Sequence, residues 1–372
     1  MKILIFNWQD IRNPLAGGAE VHLHEIFSRV AGMGHEVTLF CSSFQGAPKE
    51  ESIGGIRVVR EGGRYLFNFL VPIRYRQRFR GEGYDVVIDD LNKIPFLTPL
   101  YVREPLTVII HHLFDTVIFR EAIFPLALYV YLAERAGVAL YRSRRIPVFA
   151  VSPSTKEVLL GRGFNASTLE IVPNCVDHKL FRPTGVKRSE APLLGYMGRL
   201  KKYKSVDHLL RAFAILARSM PNAKLVVIGE GDDRRDLERS ARQLGISGSV
   251  RFTGFVSEAE KIRLLQEVWF LVNPSSVEGW GLTVIEANAC GTPVIASDVP
   301  GLRDAIKDGE TGILYPYGNI DELAEKMIRL AEDPRLRSTL AAAALEWAGS
   351  FDWQRVAEQA VALLLKQIRR EN

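Results

Sequence analysis

The stretch that decides the fold is residues 274–291, PSSVEGWGLTVIEANACG. An apolar run over 269–272 precedes it, and apolar residues at helical spacing, Leu282, Ile285 and Ala289, follow its glycines. A strand, a glycine-rich loop and a helix in this order form the repeating unit of a doubly wound α/β sheet, in which the loop at the carboxyl end of the strand holds the ligand. The stretch therefore predicts a binding loop at the edge of a parallel sheet.

Two carboxylates bracket this loop: Glu278 stands beside Gly279 and Gly281, and Glu286 lies in the first turns of the helix. Backbone N–H groups at a helix start attract anions, and glycines let a phosphate approach the backbone. The carboxylates on either side can accept hydrogen bonds from sugar and ribose hydroxyls. In the alternative interpretation, Glu286 only complements the helix dipole and Glu278 is a solvated loop residue. The glycine-rich setting at a strand end favours the ligand.

Short apolar runs and helical periodicities alternate along the whole chain. They predict strands at 3–6, 37–41, 56–59, 85–88, 106–110, 148–151, 171–172, 193–197, 225–228, 250–253, 269–272 and 294–296. This alternation implies mostly parallel sheets, and residues 182–192 (RPTGVKRSEAP) are typical of a linker. We expect two doubly wound α/β domains, 1–182 and 193–350, with a ligand in the cleft where their carboxyl ends face each other. We also expect the last helix, about 353–372, to pack back on the first domain, although the pattern allows either.

Composition narrows the class of protein. With 372 residues, 47% hydrophobic and 24% charged, the chain has the size of two domains and an ordinary globular composition, not that of a disordered or fibrous protein. No apolar run approaches the roughly 20 residues that span a bilayer, and no secretory signal is recognisable at the start. Cys41, Cys175 and Cys290 show no metal-ligand spacing. We expect a cytoplasmic protein, and its net charge of +5 is too small for a dedicated nucleic-acid binder.

Several short motifs, taken together, indicate a family. They are Gly17-Gly18-Ala19-Glu20, Pro173-Asn174 with Val176-Asp177, Gly198-Arg199-Leu200 followed by Lys204, Gly229-x-Gly231, Phe252-Thr253-Gly254-Phe255-Val256, Glu278-x7-Glu286 and Gly309-x-Thr311-Gly312. In this order, and over essentially the whole chain, they resemble the retaining glycosyltransferase family 4, of GT-B fold. Cys175 and Ser205 replace glycines that are common in the family pattern, which affects only the local turns.

The resemblance implies an enzyme that moves a sugar from a GDP- or UDP-linked donor to an acceptor hydroxyl, keeps the anomeric configuration, and uses no metal and no cofactor. Arg199 at a strand end and Lys204 in the basic turn RLKKYK then neutralise the departing diphosphate, which arginine can do through two parallel hydrogen bonds. Glu278 holds the donor sugar, and Glu286 holds the ribose. A solvated basic loop is the alternative interpretation of the two cations.

Further donor contacts follow from the same resemblance. Gly17 and Gly18, at a predicted helix start, form a second N–H cradle for the diphosphate, although a glycine pair is more often only a tight turn. His111, after the run 106–110, faces the donor sugar as a neutral imidazole that bonds a sugar hydroxyl. His112 follows at once, and the sequence leaves open which ring faces the cleft. The remaining expected nucleotide contacts are Gly229, Val256, Gly281, Leu282 and Thr283.

The first domain is expected to bind the acceptor, a glycan or a lipid-linked glycan precursor. Residues 64–80 (RYLFNFLVPIRYRQRFR) mix aromatics with arginines, and residues 122–133 (AIFPLALYVYLA) are apolar and aromatic. Together they predict peripheral docking on an anionic membrane, with arginines against the lipid headgroups. These arginines are Arg64, Arg74, Arg76, Arg78 and Arg80. In the alternative, 122–133 is a core helix and 64–80 is a solvated one.

Other function classes stay open. A nucleotide-sugar epimerase of the same architecture would release an altered nucleotide sugar without an acceptor. A glycogen- or sucrose-type synthase would differ only in its carbohydrate acceptor, and a non-catalytic sensor would bind the sugar nucleotide without reacting. The intact set Arg199, Lys204, Glu278 and Glu286 argues against the sensor. The adjacent pair Asp89-Asp90 lacks the spacing of a nucleotide-linked metal site and is expected at a strand end near the acceptor.

Overall fold

The computed structural model describes residues 1–63, 65–92 and 94–371, and these form two compact units. Unit 1 comprises Met1–Asn174 and the C-terminal helix, and unit 2 comprises Cys175–Asp352. The chain enters unit 2 earlier than the expected boundary at 182. The cause is a parallel bridge between Val176 and Asp352, supported by a hydrogen bond from Val176 N to Phe351 O of 3.4 Å. The segment 175–182 therefore belongs to the second unit.

Unit 1 is built on a mostly parallel sheet. Its strands are β1 (Lys2–Phe6), β2 (Glu36–Cys41), β3 (Glu50–Ile53), β4 (Ile56–Arg60), β5 (Val86–Leu91), β6 (Leu106–Ile110), β7 (Val148–Ala150) and β8 (Leu169–Ile171). Their order is β3-β4-β2-β1-β5-β6-β7-β8, and among these strands only β3 and β4 pair antiparallel. Because the chain leaves β1 toward β2 and later returns to β5 on its other side, the topological switch point lies between β1 and β5.

Helices pack on this sheet and bury a core that is rich in aromatic rings. They are α1 (Gly18–Gly32), α2 (Phe67–Gln77), α3 (Ile118–Glu121), α4 (Phe124–Ser143) and α5 (Pro153–Gly161). One core cluster joins β1 and β2 to α2, and burial of each of its rings stabilises the fold by about 1.5–3 kcal/mol. Its fully buried rings include Phe6, Phe40, Phe67, Tyr75 and Phe79.

Unit 2 repeats the architecture with a fully parallel sheet. Its strands are β9 (Leu193–Met197), β10 (Lys224–Ile228), β11 (Val250–Gly254), β12 (Phe270–Asn273), β13 (Val294–Ser297) and β14 (Gly312–Tyr315). They are ordered β11-β10-β9-β12-β13-β14. The chain runs from β9 to β10 and β11 on one side and resumes with β12 on the other, so the switch point lies between β9 and β12.

The helices of unit 2 are α6 (Val206–Ser219), α7 (Arg234–Gln243), α8 (Glu258–Glu267), α9 (Leu282–Ala289), α10 (Leu302–Ala305), α11 (Ile320–Glu332) and α12 (Pro334–Ala348). Leu209, Leu210, Phe213 and Leu216 of α6 are fully buried, as their spacing predicted. The expected α/β class with two parallel-sheet domains is thereby confirmed.

The chain ends with helix α13 (Trp353–Glu371), which returns to unit 1 and packs on α1. Its Gln367 accepts a hydrogen bond from Thr107 Oγ1, and its Nε2 donates to Leu106 O at 2.6 Å. These buried polar contacts tie α13 to β6. Among the described residues, no helix is long and apolar enough to cross a membrane.

Candidate active site

At the carboxyl edge of unit 2, Lys204 and Glu278 form an ion pair although they are 74 positions apart. Lys204 closes a short 3₁₀ turn after β9, and Glu278 lies in the loop after β12, so the switch point brings them together. Their side chains are only 13% and 15% exposed. Ser275 Oγ lies 3.0 Å from the same Glu278 oxygen and holds the carboxylate from the strand side. The predicted cation and the predicted carboxylate thus belong to one cluster.

Arg199 extends this cluster to the solvent. It lies directly after β9, is exposed, and its Nη2 is 3.4 Å from the hydroxyl of Tyr203. The Tyr203 ring also lies under Lys204, with Nζ 5.1 Å from its centroid, and its carbonyl oxygen accepts hydrogen bonds from Ser276 N and Oγ. Tyr203 therefore touches both predicted cations and joins their loop to the Glu278 loop. The sequence analysis missed Tyr203, whose place between the basic residues of RLKKYK is its only local signal.

Glycines in the neighbouring loops serve close backbone packing. A Cβ at Gly229 would lie 2.0 Å from Gly198 O, and its φ of +133° disfavours other residues. A Cβ at Gly231 would lie 2.1 Å from Leu200 O. These contacts press the loop after β10 against the loop that carries Arg199. The structure thus supplies a packing reason for Gly229, and its nucleotide contact stays a prediction.

Helix α9 starts at the same edge, with Gly281 as its N-cap residue. Leu282 and Thr283 form its first turn, where N–H groups lack helical partners, and both side chains are half-buried. On the other side of β9, Val256 is half-buried in the loop after β11, and the preceding Phe255 is 80% exposed. All of these predicted nucleotide contacts lie in the loops or in the helix start at the carboxyl edge of one sheet.

Glu286 lies inside α9 and is buried, with Lys261 Nζ of α8 3.3 Å from its Oε1. Burial raises the pKa of Glu286, and the positive charge of Lys261 opposes that rise. Lys261 also pairs with Glu258 at 2.8 Å and lies over the ring of Phe181, 4.6 Å from its centroid. Burial disfavours the charge of Lys261, but the two carboxylates prevail and raise its pKa. No motif singled out Lys261, because its role depends on the approach of two helices.

At the edge of unit 1, Glu20 alters the expected N–H cradle. Gly17 is the N-cap residue of α1, but its N–H already donates to Glu20 Oε2 at 2.7 Å. The other oxygen of Glu20 accepts from Asn92 Nδ2 at 2.9 Å. Contrary to the expectation, the Gly17 N–H is occupied by a carboxylate of the chain itself. Gly18 is different: no atom lies within 4 Å of a Cβ built there, so its face is open.

His111 follows β6 and is nearly buried, with 5% of its surface exposed. Its Nε2 lies 2.7 Å from Asp90 Oδ1, and its ring meets the ring of His22 edge to face at 5.2 Å. Burial lowers the pKa of His111 to about 4, so the ring is neutral at pH 7, as the resemblance implied. His112 is half-buried against Phe114, with ring centroids 4.7 Å apart. The sequence analysis did not pair His111 with Asp90.

Asp89 and Asp90 are the fourth and fifth of the six residues of β5, because this strand continues past the predicted 85–88. Asp89 is fully buried and accepts hydrogen bonds from Thr98 Oγ1 at 2.7 Å and Tyr141 OH at 2.6 Å. Burial raises the pKa of Asp89 to about 6. Asp89 is thus a core residue, and the expected place of the Asp89-Asp90 pair near the acceptor stays a prediction.

The predicted arginine patch is partly neutralised by carboxylates. Arg74 pairs with Glu61, and Arg78 pairs with Glu50 at 2.7 Å. Arg76 and Arg80 are exposed, and Arg64 lies outside the described residues.

The neighbouring helix α4 is only partly a core helix, because Ala127 and Val130 are the buried residues of its stretch 124–133. Its N-terminal half exposes a row of large apolar side chains, and Tyr129 OH accepts a hydrogen bond of 2.7 Å from Asn68 Nδ2 of α2. This hydrogen bond connects the exposed apolar residues of the two helices, which we call the α2–α4 apolar surface. Its exposed members are Leu66, Phe69, Ile73, Ile123, Phe124, Leu126, Leu128, Tyr129 and Leu132. The described residues contain no group of three or more His, Cys, Asp or Glu that could hold a metal ion.

Two family models match the chain and cover most of it between them. The model for glycosyltransferase family 4 matches residues 16–180, and the model for glycosyl transferases group 1 matches residues 177–347. D-inositol 3-phosphate glycosyltransferases are among the similar curated proteins. The one from Kribbella flavida is 32% identical over 219 residues, and the one from Frankia alni is 36% identical over 206 residues. These alignments cover 54% and 51% of this chain and span about half the length of either relative, 51% in both cases.

Solved structures extend the similarity of fold to the whole chain. Sucrose-phosphate synthase from Thermosynechococcus elongatus superposes with a TM-score of 0.83 at 22% identity and covers 100% of both chains. HepE of Anabaena in complex with UDP-glucose gives a TM-score of 0.78 at 21% identity, covering 98% of this chain and 100% of its own. WaaG, a glycosyltransferase involved in lipopolysaccharide biosynthesis, gives 0.78 at 19% identity, with coverage of 97% and 99%.

Proposed function

Because the chain belongs to glycosyltransferase family 4, we propose that it transfers a sugar from a nucleoside-diphosphate sugar to an acceptor hydroxyl, with retention of the anomeric configuration and without a metal ion. The observation that carries this proposal is the cluster of Arg199, Lys204 and Glu278 at the switch point of unit 2. Open α/β sheets bind ligands at this point. Two cations there match a diphosphate, and a carboxylate beside them matches sugar hydroxyls.

The reaction breaks the bond between the anomeric carbon and the diphosphate oxygen, and the electron pair leaves with the diphosphate. Arg199 and Lys204 stabilise that developing negative charge, the task that a divalent metal performs elsewhere. The acceptor oxygen bonds to the anomeric carbon on the face that the diphosphate leaves, which keeps the configuration. Its proton passes to the departing diphosphate. In this scheme Glu278 holds the sugar and Glu286 the ribose, so neither is a nucleophile.

A donor panel tests the proposal and distinguishes it from the alternatives. Ligand binding to the native state raises its melting temperature, so we expect one nucleotide class among UDP, GDP and ADP sugars to give the largest shift. That donor should then release nucleoside diphosphate only when an acceptor is present. Release of an altered nucleotide sugar without acceptor indicates an epimerase instead. A melting shift without turnover for any acceptor offered indicates a non-catalytic binder, and no shift with any donor contradicts the proposal.

For the acceptor, we propose a lipid-linked glycan or cell-surface precursor that unit 1 meets while docked peripherally on the cytoplasmic leaflet. The α2–α4 apolar surface supports this proposal, because Ile123, Phe124 and Leu132 are 76%, 68% and 54% exposed. A hydrogen bond joins α4 to α2, the helix that carries the exposed Arg76 and that precedes the exposed Arg80. Apolar rings that enter the interface and cations that meet anionic headgroups are the two components of peripheral binding. The ion pairs of Arg74 and Arg78 make the apolar component the larger one.

Vesicle co-sedimentation tests the docking. We expect the protein to sediment with anionic vesicles at low salt and less so at high salt, since the charge attraction is screened. Exchange of Arg76 and Arg80 for Gln should remove the anionic preference, and Phe124→Ser with Leu132→Ser should remove the salt-resistant part. Leu345→Ser, an exposed leucine of α12 in unit 2, is the matched control. A wild-type protein that ignores anionic vesicles at low salt contradicts the docking, leaves the transferase proposal intact and favours a soluble acceptor.

A further inference from the structure

Asp90 and His111 form a buried pair across two neighbouring strands of unit 1. Asp90 lies in β5 and His111 follows β6, and their side chains are 0% and 6% exposed. The His111 Nε2 atom is 2.7 Å from Asp90 Oδ1. An ionised carboxylate can only accept a hydrogen bond, so Nε2 carries the proton and Nδ1 keeps its lone pair. Within the described residues, no protein group forms a hydrogen bond with Nδ1 of His111.

The buried ring of His22 also disfavours protonation of His111. Its ring stands edge-on to His111, and its Nε2 lies 2.9 Å from the carbonyl oxygen of Val172, which fixes the His22 proton on Nε2. Burial, and to a smaller extent the neighbouring His111, lower the pKa of His22 to about 3. Two adjacent buried rings cannot both be charged at low cost. Glu20, whose charge favours a cationic His111, does not outweigh the burial.

We propose that Asp90 is a positioning residue for His111: it holds the imidazole with the proton on Nε2, so that Nδ1 is a hydrogen-bond acceptor for a hydroxyl of the donor sugar. A lone pair directed at that hydroxyl places partial negative charge near the anomeric carbon, where positive charge develops as the diphosphate leaves. The identity of the ligand rests on the proposed function. The tautomer does not, because it follows from the contact of Nε2 with an ionised Asp90 carboxylate.

The tautomer can be measured directly in the wild-type protein, and a variant is needed only to assign the signal. In protein labelled with ¹³C and ¹⁵N histidine, the ring shifts distinguish Nε2–H, Nδ1–H and imidazolium. We expect a single Nε2–H form for His111 at pH 7, assigned through the loss of its signal in His111→Phe. His22 serves as the internal reference, since a backbone carbonyl holds its proton. A wild-type His111 with the proton on Nδ1, or on both nitrogens, overturns the proposal.

Variants then test whether the tautomer matters for transfer. In Asp90→Asn the amide can donate to Nε2, so we expect the Nδ1–H form to appear and kcat to fall by about 10²-fold, within the usual range for loss of one positioned group. The dissociation constant of the nucleoside diphosphate should stay within twofold, because that ligand binds unit 2. Asp89→Asn, in the next position of β5 and bonded to Tyr141 and Thr98, is the matched control and should leave the tautomer unchanged.

The double variant separates positioning from a structural role. If Asp90 acts through His111, then Asp90→Asn combined with His111→Ala should be no slower than His111→Ala alone. Additive losses, or a changed tautomer with unchanged kcat, overturn the positioning role. A wild-type protein that shows the Nε2–H form but transfers no sugar from any donor contradicts the proposed function and the ligand assigned to Nδ1, while the Asp90–His111 pairing stands.

Discussion

At the carboxyl edge of the unit 2 sheet, Lys204 and Glu278 keep 13% and 15% of their side chains exposed, whereas Asp90 and His111 of unit 1 keep 0% and 6%. The loops of unit 2 approach each other through glycines, as at Gly229, and their charges lie near the surface. The corresponding edge of unit 1 is held together by hydrogen bonds between buried side chains. The carboxyl edge of the sheet thus carries an ion pair and an exposed arginine in unit 2, and a fully buried carboxylate bonded to a neutral imidazole in unit 1.

This difference fits the two electrostatic tasks of the proposed reaction. A leaving diphosphate needs positive charge that can exchange an internal carboxylate for the ligand. The Lys204–Glu278 pair keeps some contact with solvent, and the exposed Arg199 beside it is open to the ligand. A sugar hydroxyl needs a fixed dipole, which burial and a single hydrogen-bond partner provide. Substitutions in unit 2 should therefore change ligand affinity and turnover, and substitutions in unit 1 should change turnover without changing nucleotide affinity.

The largest expected effect in unit 2 concerns its cations. Arg199→Ala and Lys204→Ala should each lower kcat by at least about 10²-fold, since each removes one preorganised charge from the leaving group. Steady-state kinetics with the donor found in the panel measures this. Lys202→Ala is the control, because Lys202 is exposed in the same basic turn. Near-normal turnover of either folded variant removes that residue from the site and weakens the contrast with unit 1.

Substitutions of the two carboxylates of unit 2 should affect different steps, nucleotide binding for Glu286 and sugar transfer for Glu278. Glu286→Ala should weaken binding of the bare nucleoside diphosphate, because the ribose loses its acceptor. Glu278→Ala should leave that binding within a few-fold of wild type and lower kcat, because Glu278 is assigned to the sugar. Calorimetry with nucleoside diphosphate on both variants decides this. The reverse pattern exchanges the two assignments, and equal losses in both variants contradict them.

The sequence predicts unit 2 better than unit 1, for a physical reason. Its site consists of short loops whose glycines and charges follow a strand directly, and the predicted strand 193–197 coincides with β9 (Leu193–Met197). The Asp90–His111 pair depends on the adjacency and register of β5 and β6, which local periodicity does not specify. The edge strand β3, with its sequence EESI, lacked the apolar run used to find strands. Tyr203 and Lys261 likewise act through contacts between separate elements.

A third test concerns pH and the ion pair of Glu286. Burial already raises the pKa of this carboxyl, and Lys261 opposes the rise, so Lys261→Met should raise the pKa further. The protonated acid then accumulates at higher pH than in the wild type. We expect the affinity of the variant for nucleoside diphosphate, relative to wild type, to fall as the pH is lowered from 8 to 6, by up to about tenfold per pH unit below the new pKa.

The affinity of the variant is divided by that of the wild type at each pH. The titration of the diphosphate itself then cancels, because it is common to both proteins. Lys326→Met is the matched control, because Lys326 also pairs with a glutamate of unit 2, Glu322 at 2.6 Å, but on α11. A ratio that does not change with pH shows that Lys261 does not control the ionisation of Glu286. In unit 1, by contrast, His111 should give no titration between pH 6 and 8, because burial lowers its pKa to about 4.

The smallest expected effect contrasts a glycine of each unit. No atom lies within 4 Å of a Cβ at Gly18, which is the first residue of α1, so Gly18→Ala should raise the free energy of unfolding by about 0.5 kcal/mol through helix propensity. Gly229→Ala should lower it by more than about 2 kcal/mol, because a Cβ there would meet Gly198 O at 2.0 Å in a backbone conformation with φ of +133°. Chemical denaturation measures both free energies of unfolding.

If the open face of Gly18 admits the diphosphate, the Gly18→Ala variant combines higher stability with slower transfer, since the added methyl group keeps the phosphate from the backbone. Normal transfer in that variant removes Gly18 from the donor site and, with the Gly17 N–H already bonded to Glu20, leaves the diphosphate to the cations of unit 2.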